Sequence, residues 1–139
     1  MKKYFLTSLY FLTALFFASC DKSTSSIDQH PIIGLWQIEQ IIENGIELDL
    51  DACTPRPTVE FTANKEVFAE YVSKDSSSVC QSSTESGDWA AIENNSVRIN
   101  ALISPGEDYD FTFSISGDDL ILEHQGSATT YKVTAKKIR

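Results

Sequence analysis

Between Asp108 and Ile115 every second residue is apolar: Tyr109, Phe111, Phe113 and Ile115 alternate with Asp110, Thr112 and Ser114. A period of two sends the two sets to opposite faces of an extended chain, so this segment is a strand buried on one side and solvated on the other. The pattern recurs at short intervals from Gly34 onward, and no window longer than a few residues shows helical spacing. The chain therefore reads as all-β. Eight strands are expected, over 34–43, 57–62, 67–73, 86–91, 96–101, 108–115, 119–124 and 129–138. The same alternation turns inward Trp36, Ile38, Gln40 and Ile42 on the first strand, and Val59 and Phe61 on the second. On the third it favours Val67, Ala69 and Tyr71 over Phe68 and Val72. Val97 with Ile99, Leu120 with Leu122 and His124, and Tyr131 with Val133 and Ala135 complete the set.

The connections alternate in length. Segments 63–66, 92–95 and 116–118 are tight turns carrying Asn or Gly, whereas 44–56, 74–85 and 102–107 are longer. In an up-and-down meander alternate loops lie at opposite ends, so this spacing predicts an eight-stranded antiparallel β-barrel, closed by tight turns at one end and ringed by long loops at the other. Trp36, Phe61, Trp89 and Phe113 fall toward the tight-turn end. They are either a solid core, since side chains alone can fill a barrel of eight strands, or the floor beneath a cavity.

The N-terminus is organised differently. Lys2-Lys3 precede an apolar run from Tyr4 to Phe17 and then Ala18-Ser19-Cys20, the layout of a signal peptide. The apolar run falls short of the roughly 20 residues that span a bilayer as a helix. Small residues before a cysteine resemble the bacterial lipobox, in which the leader is removed and the cysteine becomes the lipid-bearing first residue. We therefore expect residues 1–19 to be a leader, Cys20 the lipidation site, 20–33 a flexible tether and 34–139 the barrel domain. The mature chain then carries nine basic and twenty acidic side chains, a net charge of −11 against −9 for the whole sequence. This disfavours nucleic acid and anionic membrane surfaces as direct partners and leaves the lipid as the membrane attachment. Two cysteines remain, Cys53 and Cys80, both placed in long loops. In an exported chain they are expected to form one disulfide.

Gly34-Leu35-Trp36 at the start of the first strand, followed by a long loop and a seven-strand meander, resembles the Gly-x-Trp opening of the lipocalins. Together with Asn44-Gly45, Cys53, Val59-Glu60-Phe61, Cys80, Ser86-Gly87-Asp88-Trp89 and Ile115-Ser116-Gly117, the pattern is similar to short lipocalin-like lipoproteins of envelope-bearing bacteria, particularly the Bacteroidetes. The resemblance implies a non-enzymatic envelope protein, lipid-anchored in the outer membrane, that holds a small hydrophobic or amphipathic ligand in its barrel. It also implies a basic side chain across the Trp36 ring, supplied by Lys137 or Arg139. Avidin-like and metalloprotease-inhibitor barrels share this opening, so an envelope protein partner bound by a filled barrel is the alternative.

No nucleophile elbow, Cys-His pair, metal-binding helix or phosphate loop is present, and no cofactor is implied. His124 lacks zinc-ligating partners and reads as a hydrogen-bonded histidine at the rim. Glu107, Asp108 and Asp110, with Asp49 and Asp51, form no calcium loop and read as surface charge. The candidate ligand contacts are Trp36, Trp89 and Phe111 below, with Gln40, Tyr71, Tyr109, His124 and Tyr131 at the mouth, a mixture of apolar walls and few polar groups. An enclosed space of about 300 Å³ or more would favour a ligand, and a filled interior a protein partner.

Overall fold

The computed structural model describes residues 30–51, 53–103 and 105–139. Residues 1–29, with the expected leader, Cys20 and most of the tether, lie outside them. Among the described residues nine strands run in the order β1 (Gly34–Glu43), β2 (Ile46–Glu47), β3 (Thr58–Phe61), β4 (Glu66–Lys74), β5 (Cys80–Glu93), β6 (Ser96–Asn100), β7 (Asp108–Ser116), β8 (Asp119–Gln125) and β9 (Thr130–Lys137). Every pairing is antiparallel. β1 is bonded to β3 and also to β9, so the sheet closes on itself as an eight-stranded up-and-down barrel. β2 is a short spur off the end of β1. Asn44 and Gly45 make its turn at positive φ (52° and 81°), the conformation a two-residue hairpin of this hand requires.

Alternation predicted most of the interior. Val59, Phe61, Val67, Ala69, Val97, Ile99, Phe111, Phe113, Leu120, Leu122 and Ala135 are all buried, and no polar or charged residue among the described ones is. The choice of Val67, Ala69 and Tyr71 on the third strand of the barrel holds: the first two are buried and Tyr71 packs against the core. Each large apolar side chain so buried contributes about 1.5–3 kcal/mol.

Three expectations change. The register of β1 against β9 shifts between Ile38 and Gln40, where one extra residue is accommodated as a bulge. Beyond it Ile41 faces Val133 and Glu43 faces Tyr131, while Gln40 faces Thr134 and Ile42 faces Lys132. One inserted residue reverses the alternation, so Gln40 and Ile42, expected inside, stand on the outer face. Second, β5 begins at Cys80 rather than near residue 86. It pairs with β4 along its whole first half, so the expected long loop 74–85 shrinks to a turn at 75–79. Third, residues 30–33, assigned to the tether, pack against the barrel: Ile32 is fully buried, and its carbonyl accepts the Trp36 indole N–H at 2.8 Å.

Candidate functional site

The tight-turn end of the barrel is solid. The Phe61 ring meets Trp89 edge-on at 6.0 Å. The His30 ring packs over Trp89 at 5.2 Å and Phe113 at 5.5 Å, capping them from the N-terminal side. The Trp89 indole donates to the Thr62 carbonyl at 3.0 Å, so both tryptophan N–H groups are satisfied while the rings stay dry. Burial holds His30 below the usual histidine pKa, and its Nδ1 has no partner there. Gly34 lies where a Cβ would stand 2.7 Å from the Arg139 carbonyl oxygen, with φ +142°, so the close approach of β1 to the C-terminal residues needs a residue without a side chain. Lys137 takes the basic position over Trp36, 5.1 Å from the ring centroid, and Arg139 instead reaches Glu60 at 3.3 Å.

Above this floor the interior is hollow. A cavity of about 220 Å³ opens toward the long-loop end, with Phe61, Phe111, Leu122, Val59, Ala69 and Ile99 around its lower part. Leu48, Leu102 and Ile103 from two loops, and Ile41, Glu43, Tyr71, Tyr131 and Val133 from strand ends, line it as well. Leu48 and the half-buried Leu50 belong to segment 48–57, which is tied down at three points. The Leu48 N–H donates to the Ile41 carbonyl at 2.9 Å. Arg56 pairs with Glu39 of β1 at 2.8 Å and with Asp51 at 2.6 Å. Buried Cys53 is disulfide-bonded to Cys80, with Cα atoms 5.8 Å apart. The expected pairing is therefore present, though it joins a loop to the start of β5 rather than two loops.

Of the expected ligand contacts, Phe111, Tyr71 and Tyr131 line the cavity. Trp36 and Trp89 do not: they are packed beneath it in the closed end. Gln40 is on the outer face for the reason already given. Tyr109 and His124 stand beside Tyr131, with ring centroids 5.9 and 6.2 Å from it, as a rim cluster outside the cavity wall. His124 is hydrogen-bonded, its Nδ1–H donating to the Asp110 carbonyl at 2.8 Å. Asp110 is ion-paired with Arg98 at 2.6 Å, and the Arg98 hydrogen bond holds its carboxyl below the usual range. At the mouth the Tyr131 hydroxyl donates to Glu43 at 3.1 Å. Burial first, then this hydrogen bond and nearby charges, push the Tyr131 phenol up to about 12. Ile41, Glu43, Leu48, Leu102 and Ile103 were not expected here. The first two depend on the bulge, but apolar residues inside otherwise polar loops at 48, 50, 102 and 103 were a visible sign that these loops cover something.

A family model described as a lipocalin-like domain matches residues 32–102. Among solved structures, a de novo designed fluorescence-activating β-barrel is 15% identical, with a TM-score of 0.43 over 76% of this chain and 93% of that one. An uncharacterized protein from Bacteroides eggerthii DSM 20697 is 12% identical, with a TM-score of 0.49 over 76% of this chain and 98% of that one. No curated protein matches the sequence significantly.

Proposed function

The chain belongs to the lipocalin-like domain family, and on that premise we propose that it is a non-enzymatic, lipid-anchored envelope protein that holds a small apolar or amphipathic molecule in its barrel. The observation that carries this reading is the cavity: a hollow of about 220 Å³ with a nearly continuous apolar wall, above a floor that is itself fully packed. A barrel built only to present its surface has no need of such a void, because unfilled apolar volume costs stability. At about 220 Å³ and open at one end, the space falls short of the enclosed ~300 Å³ expected of a site for drug-sized ligands, although the interior is not filled either. It exceeds the ~150 Å³ apolar cavity known to admit benzene, so the ligand, or the part of it that is enclosed, is a single ring or a short chain. A protein-interaction barrel with a filled core remains the competing class, and the void counts against it.

The anchor rests on the leader-like segment and Cys20, and the outer membrane on the resemblance alone. Both halves of the proposal are tested by native mass spectrometry of the protein purified from its own membranes. The expected result is a chain beginning at an acylated Cys20 that retains a small molecule in the gas phase. Unacylated chain would remove the anchor. A barrel that is empty in every preparation, and takes up no apolar molecule offered to it, would return the protein to the interaction class.

A further inference from the structure

The chemistry of the mouth narrows the class of ligand. Among the residues lining the cavity Glu43 is the one charged side chain. Its Oε1 accepts the Tyr131 hydroxyl at 3.1 Å, and among the described residues no cation stands within ion-pair distance of it. The neighbouring tyrosines also have carboxylates near them, one of them hydrogen-bonded. The Tyr109 hydroxyl donates to Glu107 at 2.6 Å, and Glu85 lies close enough to Tyr71 for its charge to raise that phenol's pKa, after burial. Three phenol rings at or beside the opening are thus each accompanied by a carboxylate. Of the basic side chains near this end, Arg56 is engaged with Glu39 and Asp51, Arg98 with Asp110, and Lys132 with Glu123, while Lys74, exposed at the end of β4, belongs by alternation to the strand's outward set, opposite to Tyr71. Lys132 also pairs opposite Ile42, on the outward face of the barrel wall.

Such a mouth repels an anionic head group. A carboxylate or phosphate held beside Glu43 would meet like charge in a partly desolvated setting, with no guanidinium or ammonium to answer it. A protonated amine meets the opposite situation, a carboxylate with one oxygen still open and the faces of electron-rich rings, both of which attract a cation. We propose that the cavity selects small amines: the apolar ring or chain enters, and the ammonium group stays at the mouth against Glu43, beside Tyr71 and Tyr131. This rests on the ligand-binding reading and deepens it.

The test uses three probes of similar bulk that share a benzyl group and differ in what it carries: 2-phenylethylamine, 2-phenylethanol and phenylacetate. They are titrated at pH 7 into the chain from residue 20 with Cys20→Ser, following the amide shifts of the cavity-lining residues by NMR. The amine should bind about tenfold more tightly than the alcohol, and the carboxylate more weakly than either. Glu43→Gln keeps an acceptor for Tyr131. It should bring the amine within about twofold of the alcohol, read as the ratio of the two affinities in the same variant, and the dispersion of the variant's own amide spectrum reports an intact fold. If that variant fails to fold, the parent protein still answers, because 0.5 M salt should weaken the amine and spare the alcohol. An amine no tighter than the alcohol, or a carboxylate that binds best, overturns the amine proposal while leaving the cavity a binding site. Failure of the alcohol as well removes the binding reading together with it.

Discussion

The Lys137 ammonium stands 5.1 Å from the centroid of the Trp36 ring, so the last strand closes over the first at the residue that plugs the barrel. Gly34 makes the approach possible, since a Cβ there would meet the Arg139 carbonyl at 2.7 Å and the Lys137 side chain at 3.1 Å. The Gly-x-Trp spacing is thus one device: a bare backbone position admits the C-terminal strand, and two residues later a tryptophan receives its lysine.

Lys137→Ala should accordingly lower stability by about 0.5–1 kcal/mol in urea unfolding, the range for a solvent-exposed cation over an aromatic ring, and Lys137→Arg should retain most of it. Trp36→Ala, which empties the plug, should cost about 3–5 kcal/mol. Equal stability of Lys137→Ala and the parent would show that the contact contributes nothing.

The disulfide joins residues 27 apart in sequence and fastens segment 48–57, which supplies Leu48 to the cavity. In the chain-entropy model closing such a loop stabilises by roughly 3–4 kcal/mol. Reduction, or the double substitution Cys53→Ala with Cys80→Ala, should lower the unfolding midpoint by several degrees at least. It should also speed amide exchange in segment 48–57 more than in β7 and β8. Free thiols titrated in the native unreduced protein would contradict this.

What was legible in the sequence followed from burial on one face. β7 announces itself because Tyr109, Phe111, Phe113 and Ile115 all face the interior. The first half of β5 does not, because Cys80 to Glu85 pair with β4 while both faces stay exposed, and a strand without a buried face leaves no period to read. The bulge in β1 left only an ambiguous mark: after Ile38 the alternation meets polar Gln40 and then two adjacent apolar residues, Ile41 and Ile42, and pairing with β9 shows that Ile41 and Glu43 are the inward pair. That single shift decided the candidate site, removing Gln40 and introducing the carboxylate at the mouth. Trp36 and Trp89 were correctly placed deep, but their part is to fill the closed end, which His30 and Ile32 seal from a segment too polar on average to suggest it.

That seal is the basis of the last prediction. His30 is packed against Trp89 and Phe113, and burial lowers its pKa because the apolar rings do not solvate an imidazolium and Nδ1 has no acceptor. The unfolded chain takes up the proton near the ordinary value of about 6.5, before the folded one does. For a base whose folded pKa is depressed, stability is fully present above about pH 6.5 and is lost as pH falls through the lower folded value. Asp75 and Asp110 also titrate below their ordinary value, Asp75 through the Val79 and Ser77 backbone N–H groups and Asp110 through Arg98, but their losses begin only near pH 4 and below. Two steps should therefore separate in thermal unfolding between pH 8 and pH 3. His30→Phe, which keeps a ring over Trp89, should erase the upper step and leave the lower one unchanged. A parent midpoint that stays flat from pH 7 to pH 5, or an upper step that survives in His30→Phe, would mean that this histidine does not carry the acid sensitivity of the closed end.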